Sequence, residues 1–350
     1  MRHDELIELR REIHRHPELA GGERRTAALV ADVLREAGLD VRTGVGGHGV
    51  VAILDAGDGP AIGYRADMDA VAVPGGAAAH LCGHEVHTAI GLGVARALAR
   101  EQTSSRAVFF FQPAEEACEG ARAMIDDGAL DAVLPREVYA LHCAPLPTGT
   151  FAVAPGFGHP GQDIFRIEGL SHEEARRFES LVAGLSTVTP PTSRDELERL
   201  VEDMQILDGP LASFVYAQVH REDDAVQGWV RAWPDSRYEE IRSLLHSQAG
   251  PCVRFIERLP TMINSPEHAL ACARHLNATV LHASYPFNGE DFALFLERVP
   301  GAMFFFGVGE QGLPHAPDFA VDECAIDLGV DAMTGFLRTR REQPSWSSNA

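Results

Sequence analysis

Apolar residues recur at helical spacing near the start of the chain, in DELIELRREIH and again in ERRTAALVADVLREAGLDV. Shorter and continuous apolar runs follow, among them VVAIL, RAVFFFQ and VYALHC. Their length and their β-branched or aromatic content are typical of buried strands. Helices therefore alternate with strands that are apolar on both faces. This pattern predicts a layered α/β domain, in which helices cover both sides of a mixed sheet.

The pattern changes in the middle of the chain. SHEEARRFESLVAGL and SRDELERLVEDMQIL resemble amphipathic surface helices, whereas ASFVYAQVH and VQGWVRAW alternate like strands with one exposed face. The earlier helix–strand–helix pattern then returns. We therefore predict a main domain made of residues 1–155 and 257–342, an inserted smaller α+β domain of residues 156–256, and a disordered tail of residues 343–350.

Composition narrows the class of protein. The chain carries 51 acidic and 30 basic residues, a formal net charge of −21, which repels phosphate backbones and anionic lipid. We therefore expect neither nucleic acid nor a membrane surface as a partner. No apolar run approaches the ~18 residues needed to span a bilayer, and the charged N-terminus is unlike a signal peptide. The six cysteines are scattered without a CxxC motif, which favours a reduced, cytoplasmic protein.

Metal-capable side chains concentrate in HLCGHEVHT, residues 80–88. Cys82 and His84 are two residues apart, a spacing that turns both side chains to one side of an extended or loop backbone. Thiolate and imidazole both suit a divalent transition metal. Taken alone, such a cluster is more often structural or accidental than a metal site, so the rest of the chain has to support the hypothesis.

Further candidates follow other predicted strands. Glu115 and Glu116 come after RAVFFFQ, at the predicted start of a helix. There they could bind a cation and accept a proton, or simply be favourable charges in a first helical turn. His142 ends VYALHC, and His315 lies in a loop after AMFFFGVG. Each histidine alone could be a satisfied, partly buried imidazole. Because sites in α/β sheets form at the carboxyl ends of strands, the joint pattern favours a metal site.

Two aspartates end another predicted strand. YRADMDA places Asp67 and Asp69 at period-two spacing, which directs both side chains to one face. They could orient histidine ligands from behind, or they could cap the next helix. The spacing alone leaves both interpretations open.

A set of motifs in a fixed order resembles the M20 metallopeptidase superfamily, in its aminoacylase/hippurate hydrolase-like amidohydrolase branch. The motifs are RREIHRHPEL, YRADMDA, HLCGHEVHTA, FFFQPAEEACEGARAMIDDG, YALHCAPLPTG, NGEDFALFLERVPGAMFFFGVG and LPHAPDF, and the resemblance covers about residues 5–155 and 260–340. It implies that the main domain is catalytic and binds metal. It also implies that residues 156–256 form a lid, which such proteins often use for dimerisation, so a homodimer through the lid is expected.

The same resemblance implies a chemistry. It suggests a site for two divalent ions (Zn, Mn, Co or Ni) in which Glu115 matches the general base. The implied reaction is hydrolysis of the amide bond of a small molecule, an N-acyl-L-amino acid with an N-acetyl or aromatic acyl group, to a free amino acid and a carboxylate. The positions that match the metal ligands are Cys82, His84, Glu116, His142 and His315.

The chain also departs from the family pattern. Glu85 stands where the branch usually has Asp, and the segment between DMDA and HLCGHE is short. In the lid, Arg231 matches a family arginine that could hold a substrate carboxylate, whereas His172 matches the lid histidine in only one of two alignments. A dipeptidase or a biosynthetic N-deacetylase of the superfamily is therefore an alternative. So is a catalytically impaired metal-binding homologue with a ligand-binding or regulatory role.

Overall fold

The computed structural model describes residues 3–55, 59–101, 106–221 and 225–342, except the side chains of residues 3, 251 and 257. The chain divides into two compact units. Unit 1 comprises Met1–Val153, Asn264–Thr279 and Leu294–Ala350, and unit 2 comprises Ala154–Ile263 and Val280–Ala293. Residues 280–293, which the sequence placed in the main domain, thus pack with unit 2. The catalytic and lid roles of the units stay predictions, and the predicted tail at 343–350 lies outside the described residues.

Helices and strands alternate along most of the described chain. None of the helices in these ranges is both long enough and apolar enough to cross a bilayer. The helices are α1 (His3–Arg15), α2 (Arg24–Glu36), α3 (His84–Ala99), α4 (Gly120–Asp126), α5 (His172–Ala183), α6 (Arg194–Asp203), α7 (Ser236–Ala249), α8 (Pro266–Leu276), α9 (Ala293–Leu296) and α10 (Cys324–Glu342). The strands are β1 (Asp40–Val45), β2 (Gly49–Leu54), β3 (Ile62–Asp67), β4 (Val71–Ala72), β5 (Ala78–Ala79), β6 (Ala107–Gln112), β7 (Glu137–Ala144), β8 (Phe151–Val153), β9 (Gly156–His159), β10 (Gln162–Glu168), β11 (Phe214–Arg221), β12 (Ala225–Trp233), β13 (Val253–Leu259), β14 (Met262–Asn264), β15 (Thr279–Val280) and β16 (Gly301–Gly307).

Unit 1 is built on an eight-stranded mixed sheet with the strand order β1-β2-β6-β3-β7-β16-β8-β15. The central strands β6, β3, β7 and β16 run parallel to one another, whereas β2 and β8 pair antiparallel with their central neighbours. Strands β3, β6 and β7 are buried at every position. Both faces of the central sheet are therefore covered, which explains the continuous apolar runs in the sequence. The predicted α/β fold class is confirmed.

Helix α3 is the central helix of unit 1. It packs on β3, β6 and β7, and α1, α2 and α10 pack on it in turn. Small residues allow this crowding. A Cβ atom added at Gly93 would lie 2.4 Å from Cγ2 of Val330 in α10 and 2.9 Å from Cδ1 of Leu6 in α1. Glycine at position 93 is therefore a condition for the close approach of three helices.

The parallel strands bring the candidate chemistry to one edge of the sheet. Asp67 is the last residue of β3, and His142 lies close to the end of β7. Glu115 and Glu116 follow β6, and His315 follows β16. Because parallel strands end at the same edge, side chains from four distant parts of the sequence can meet there.

Unit 2 contains a four-stranded antiparallel sheet with the order β11-β12-β10-β13. Helices α5 and α7 pack on it. Burial alternates along β10, and its inward-facing Phe165 and Ile167 join Phe178 of α5 and Tyr238 of α7 in one apolar core. One covered face accounts for the alternating sequence pattern in this region.

Two predicted helices are shorter than the sequence suggested. In EEACEGARAMIDDG the helix begins only at Gly120, so the prediction that Glu115 and Glu116 open a helix is wrong. Ala114 and Cys118 take positive φ angles of 52° and 56°, and a turn forms between them instead. The apolar spacing in GEDFALFLERV also predicts a helix, but only Ala293–Leu296 is helical.

We expect Gly93→Ala to lower the free energy of unfolding by about 1–3 kcal/mol, because the branched side chain of Val330 cannot rotate away from the added methyl group. The measurement is urea unfolding. Gly335→Ala, in α10, is the matched control, since its added Cβ would lie 3.6 Å from Nε2 of His275, an ordinary contact distance. The control should be neutral or stabilising by up to about 1 kcal/mol. Equal effects of the two substitutions would contradict the packing argument.

Candidate active site

Cys82 and His84 flank Gly83, whose left-handed backbone conformation is one that residues with a side chain rarely adopt. Gly83 has a φ of 88°, and a Cβ atom there would lie 2.8 Å from Cβ of Cys143. Past this turn, His84 begins α3 and is fully buried, and Cys82 is also buried. Sγ of Cys82 lies 3.6 Å from Nε2 of His142, so the loop before α3 meets the end of β7.

The ring nitrogen Nε2 of His142, which faces Cys82, carries a lone pair. Burial lowers its pKa well below the usual value, so the ring is neutral. Nδ1 lies 2.8 Å from the carbonyl oxygen of Cys143. A carbonyl oxygen can only accept, so Nδ1 donates and Nε2 carries the lone pair. This is the tautomer that a metal-binding imidazole needs.

His84 is surrounded by carboxylates. Its Nδ1 lies 3.3 Å from Oδ1 of Asp69. Its Nε2 makes no hydrogen bond. Instead, Nε2 lies 3.7 Å from a carboxylate oxygen of Glu115, 3.7 Å from one of Glu116 and 3.9 Å from one of Asp67. Three acidic side chains therefore face one atom of a buried ring.

This concentration of acidic groups requires positive charge. Burial alone would lower the pKa of His84, but the charges of Asp67 and Cys82 raise it well above the usual value. A proton on Nε2 can supply that charge, and so can a divalent cation bound to the same lone pair. The electrostatics of the cluster therefore suit a cation.

The loop that carries His315 closes the cluster from another side. Nε2 of His315 lies 3.3 Å from Oε1 of Glu116. His315 has a positive φ of 68°, and its backbone N–H donates to the carbonyl oxygen of Leu81 at 2.8 Å. This bond holds the loop directly beside Cys82.

The potential ligand atoms of the cluster fit a metal ion. Nε2 of His84 and Oε1 of Glu116 are both buried and lie 3.7 Å apart. Neither atom makes a hydrogen bond of good geometry, although Oε1 is 3.3 Å from Nε2 of His315. Thiolate, imidazole and carboxylate together suit divalent transition metals. Three overlapping groups of potential ligand atoms, each within 4.8 Å, are Cys82 with His84 and His142, Cys82 with Glu116 and His315, and His84 with Glu115 and Glu116.

His87 belongs to the support of the cluster, a role that sequence reasoning missed. The backbone N–H of Cys143 donates to Nε2 of His87 at 2.8 Å, so Nδ1 carries the proton and donates to Asp67 at 2.5 Å. The other oxygen of Asp67 accepts from Arg65 at 2.6 Å. Both nitrogens of His87 are therefore used, although its carboxylate and imidazole neighbours resemble a metal site. His87 lies three residues after His84 in α3, a spacing that places both side chains on one face of the helix. This spacing is the feature of the sequence that could have indicated its role.

The two candidate substrate-binding residues belong to unit 2. Arg231 lies on β12, where its guanidinium stacks over the ring of Trp229 at 4.4 Å and donates to the carbonyl oxygen of Phe287. His172 is the exposed first residue of α5. Their roles in substrate binding stay predictions.

Glu85 connects α3 to α1. Its fully buried carboxylate lies 2.7 Å from Arg10 and 3.0 Å from His14, both on α1, and 3.6 Å from His80. Burial would raise the pKa of Glu85, but the hydrogen bond from His14 and the charges of His80 and Arg10 lower it to about 2. The residue that departs from the family pattern thus forms a buried ion pair between two helices.

A layered α/β fold with buried thiol, imidazole and carboxylate groups at its strand ends is typical of a metal-dependent hydrolase, and the comparisons with known proteins agree with this class. The family described as peptidase family M20/M25/M40 matches residues 63–339. The chain belongs to this family and is an enzyme of the hydrolase class, so the resemblance seen in the motifs is confirmed.

Individual relatives cover nearly the whole chain. It is 32% identical to a Synechocystis sp. protein named "Probable hydrolase sll0100", over 93% of each chain. It is 28% identical to the N-acetyldiaminopimelate deacetylase of Bacillus subtilis, over 96% of this chain and 99% of the relative. Its fold matches the crystal structure of the Bacillus subtilis YXEP protein, a dinuclear metal binding peptidase, with a TM-score of 0.76, 24% identity, and coverage of 98% and 99%.

We expect Glu85→Gln to lower the free energy of unfolding by about 3 kcal/mol at neutral pH, because Arg10 loses its buried partner. The pKa of Glu85 falls from 4.5 to about 2 on folding, so its contribution is complete above pH 4.5 and is lost as the pH falls toward 2. Urea unfolding of both proteins between pH 7 and pH 3 should therefore show a shrinking difference.

Glu8→Gln is the matched control for this experiment. Glu8 pairs with Arg11 on the same helix, α1, but both side chains are largely exposed. An exposed pair contributes little to stability. A difference between Glu85→Gln and the unchanged protein that stays constant across the pH range would contradict the assignment.

Proposed function

We propose that this enzyme hydrolyses the amide bond of an N-acyl-L-amino acid, to a carboxylate and a free amino acid. The observation that carries the proposal is the position of Glu115. Its carboxylate is buried, and one oxygen lies 3.7 Å from Nε2 of His84, within a group of atoms suited to a cation. A carboxylate in such a place is suited to accept and return a proton.

Two divalent cations are part of this proposal. Two of the groups of candidate ligand atoms share Cys82, which supports two neighbouring ions. The YXEP protein, with the same fold, is described as dinuclear. When bound, the ions would lower the pKa of water and polarise the amide carbonyl. Zn, Mn, Co and Ni all suit the donors. We propose that the ligands are Cys82, His84, Glu116, His142 and His315.

The side chains of this chain then have distinct roles. Glu115 accepts a proton from the attacking water and returns it to the leaving nitrogen. Asp69 serves two elements at once, because one oxygen faces Nδ1 of His84 at 3.3 Å and the other accepts the backbone N–H of Glu116 at 2.9 Å. Asp67 fixes the tautomer of His87. Asp69 thus orients groups that act on the substrate or on a cation, whereas Asp67 orients the supporting His87.

Unit 2 is proposed to serve as the lid. Its Arg231 offers a planar guanidinium, which suits the carboxylate of an amino acid as a bidentate partner. The stacking on Trp229 at 4.4 Å limits the number of orientations that this side chain adopts. His172 is the second candidate for a substrate contact, and dimerisation through this unit is likewise a proposal.

A biosynthetic N-deacetylase is a second candidate within the same reaction class. The observation that favours it is the relative named N-acetyldiaminopimelate deacetylase, of which this chain covers 99%. N-acetyldiaminopimelate should therefore be tested beside N-acetyl amino acids, N-benzoyl amino acids and dipeptides. The comparison uses apo-protein reloaded separately with Mn²⁺, Zn²⁺, Co²⁺ or Ni²⁺.

We expect Glu115→Gln to lower kcat by about 10²–10⁴ on every substrate that the unchanged enzyme turns over, because the amide cannot accept the proton. Metal analysis of the same samples should still find about two ions per chain. Glu119→Gln is the matched control, since Glu119 is exposed and lies in the same segment. Full activity of Glu115→Gln would exclude the proposed mechanism, and the absence of bound metal in the unchanged protein would exclude the proposed site.

A further inference from the structure

A buried carboxylate outside the proposed ligand set contacts the segment that carries the general base. Glu23 precedes α2 and is fully buried. Its Oε1 accepts two backbone hydrogen bonds, one from the N–H of Gly21 at 2.8 Å and one from the N–H of Ala114 at 2.9 Å. Its Oε2 makes no hydrogen bond. Burying a carboxylate in this way opposes folding, so the contact calls for a reason.

Ala114 directly precedes Glu115 and takes an unfavourable backbone conformation. Its φ of 52° lies in the left-handed region, which an alanine rarely adopts without support from its surroundings. Its carbonyl oxygen accepts from the N–H groups of Glu119 and Gly120 at 3.2 and 3.1 Å. The bond from the N–H of Ala114 to Glu23 therefore completes the hydrogen bonding of a strained residue.

The turn is held from both sides. Beyond Glu115, the backbone N–H of Glu116 donates to Oδ2 of Asp69 at 2.9 Å. Glu23 and Asp69 thus bind the backbone N–H groups of the residues immediately before and after the general base. Two carboxylates from distant segments therefore contact the backbone on both sides of Glu115.

The segment around Glu23 is itself anchored to the strand end that carries Asp69. The side chain of Glu18 accepts the backbone N–H groups of Arg25 and Thr26, both at 2.9 Å. The carbonyl oxygen of Glu18 accepts the N–H of Ala70 at 2.8 Å. The segment that carries Glu23 is therefore hydrogen-bonded to the residues that follow β3, so the position of Glu23 relative to the turn is restricted.

We propose that Glu23 is a positioning residue for the general base: its carboxylate holds the N–H of Ala114 and so fixes the turn from which Glu115 projects. This inference rests on the proposed role of Glu115. Glu23 acts through the backbone and binds neither substrate nor metal. Supporting groups of this kind typically contribute about 10–100-fold to activity.

The test compares Glu23→Ala with Glu23→Gln. Alanine removes the acceptor, whereas glutamine keeps one carbonyl oxygen in nearly the same place. With saturating metal and the best substrate of the panel, we expect Glu23→Ala to lower kcat by about 10–100-fold with little change in KM. Glu23→Gln should restore kcat to within about threefold of the unchanged enzyme, because a neutral acceptor still satisfies the amide.

Hydrogen exchange followed by mass spectrometry supplies a readout that is independent of activity. In Glu23→Ala the backbone amides of residues 114–119 should exchange faster, whereas those of β7 should not change. Glu18→Ala is the matched control, since it releases the N–H groups of Arg25 and Thr26 but leaves the bond to Ala114 in place. It should speed exchange near residue 25 and affect residues 114–119 much less than Glu23→Ala does, because the bond from the N–H of Ala114 remains.

The possible failures are distinguishable. Unchanged exchange at residues 114–119 in Glu23→Ala would overturn the positioning role, and so would a glutamine variant as impaired as the alanine variant. An equal rise in exchange throughout unit 1 would assign Glu23 to general stability and would also overturn it. Full activity of Glu115→Gln would instead reject the proposed function, whatever the exchange experiment finds.

Discussion

The need to neutralise buried negative charge is the constraint on which the rest of unit 1 depends. Oxygens of Asp67, Glu115 and Glu116 all lie within 3.9 Å of Nε2 of His84, and Cys82 adds a further acidic group to the same cluster. Such a concentration of acids is stable only when positive charge is present, either as a proton on His84 or as a bound cation. Folding of this edge of the sheet and binding of metal are therefore expected to be coupled.

Hydrogen bonds from behind the cluster give it a defined geometry. Asp69 binds the backbone of Glu116, and His87 links Asp67 to the backbone of Cys143. These contacts come from strand ends and from the first turn of α3, which are rigid parts of the fold. Of the described non-glycine residues with a positive φ, Ala114, Cys118 and His315 lie in loops beside the cluster, whereas Asp208 and Asn277 lie elsewhere. Several unfavourable backbone conformations therefore lie close to the candidate site, and the packing of the surrounding core offsets their cost.

The class of fold and the chemical groups could be predicted from the sequence, because both leave local patterns. Strands covered on both faces read as continuous apolar runs. Side chains at the ends of parallel strands are neighbours whatever their distance in sequence, so Glu116 and His315 could be grouped before their contact was seen. The turn around Glu115 could not be predicted in this way. Its residues favour a helix, and the conformation of Ala114 depends on a carboxylate 91 residues away.

The sequence by itself therefore determined most of the helices and strands, because hydrophobic periodicity depends on neighbouring residues. It also determined which residue types meet at the edge of the sheet, because parallel strands end there. Only the tertiary structure decided which residue does what within that group. Whether His87 supports or binds, and whether Glu85 faces a cation or α1, depends on single hydrogen bonds between distant segments. Such bonds produce no periodic pattern in the sequence, because each depends on the relative positions of two elements that are distant along the chain.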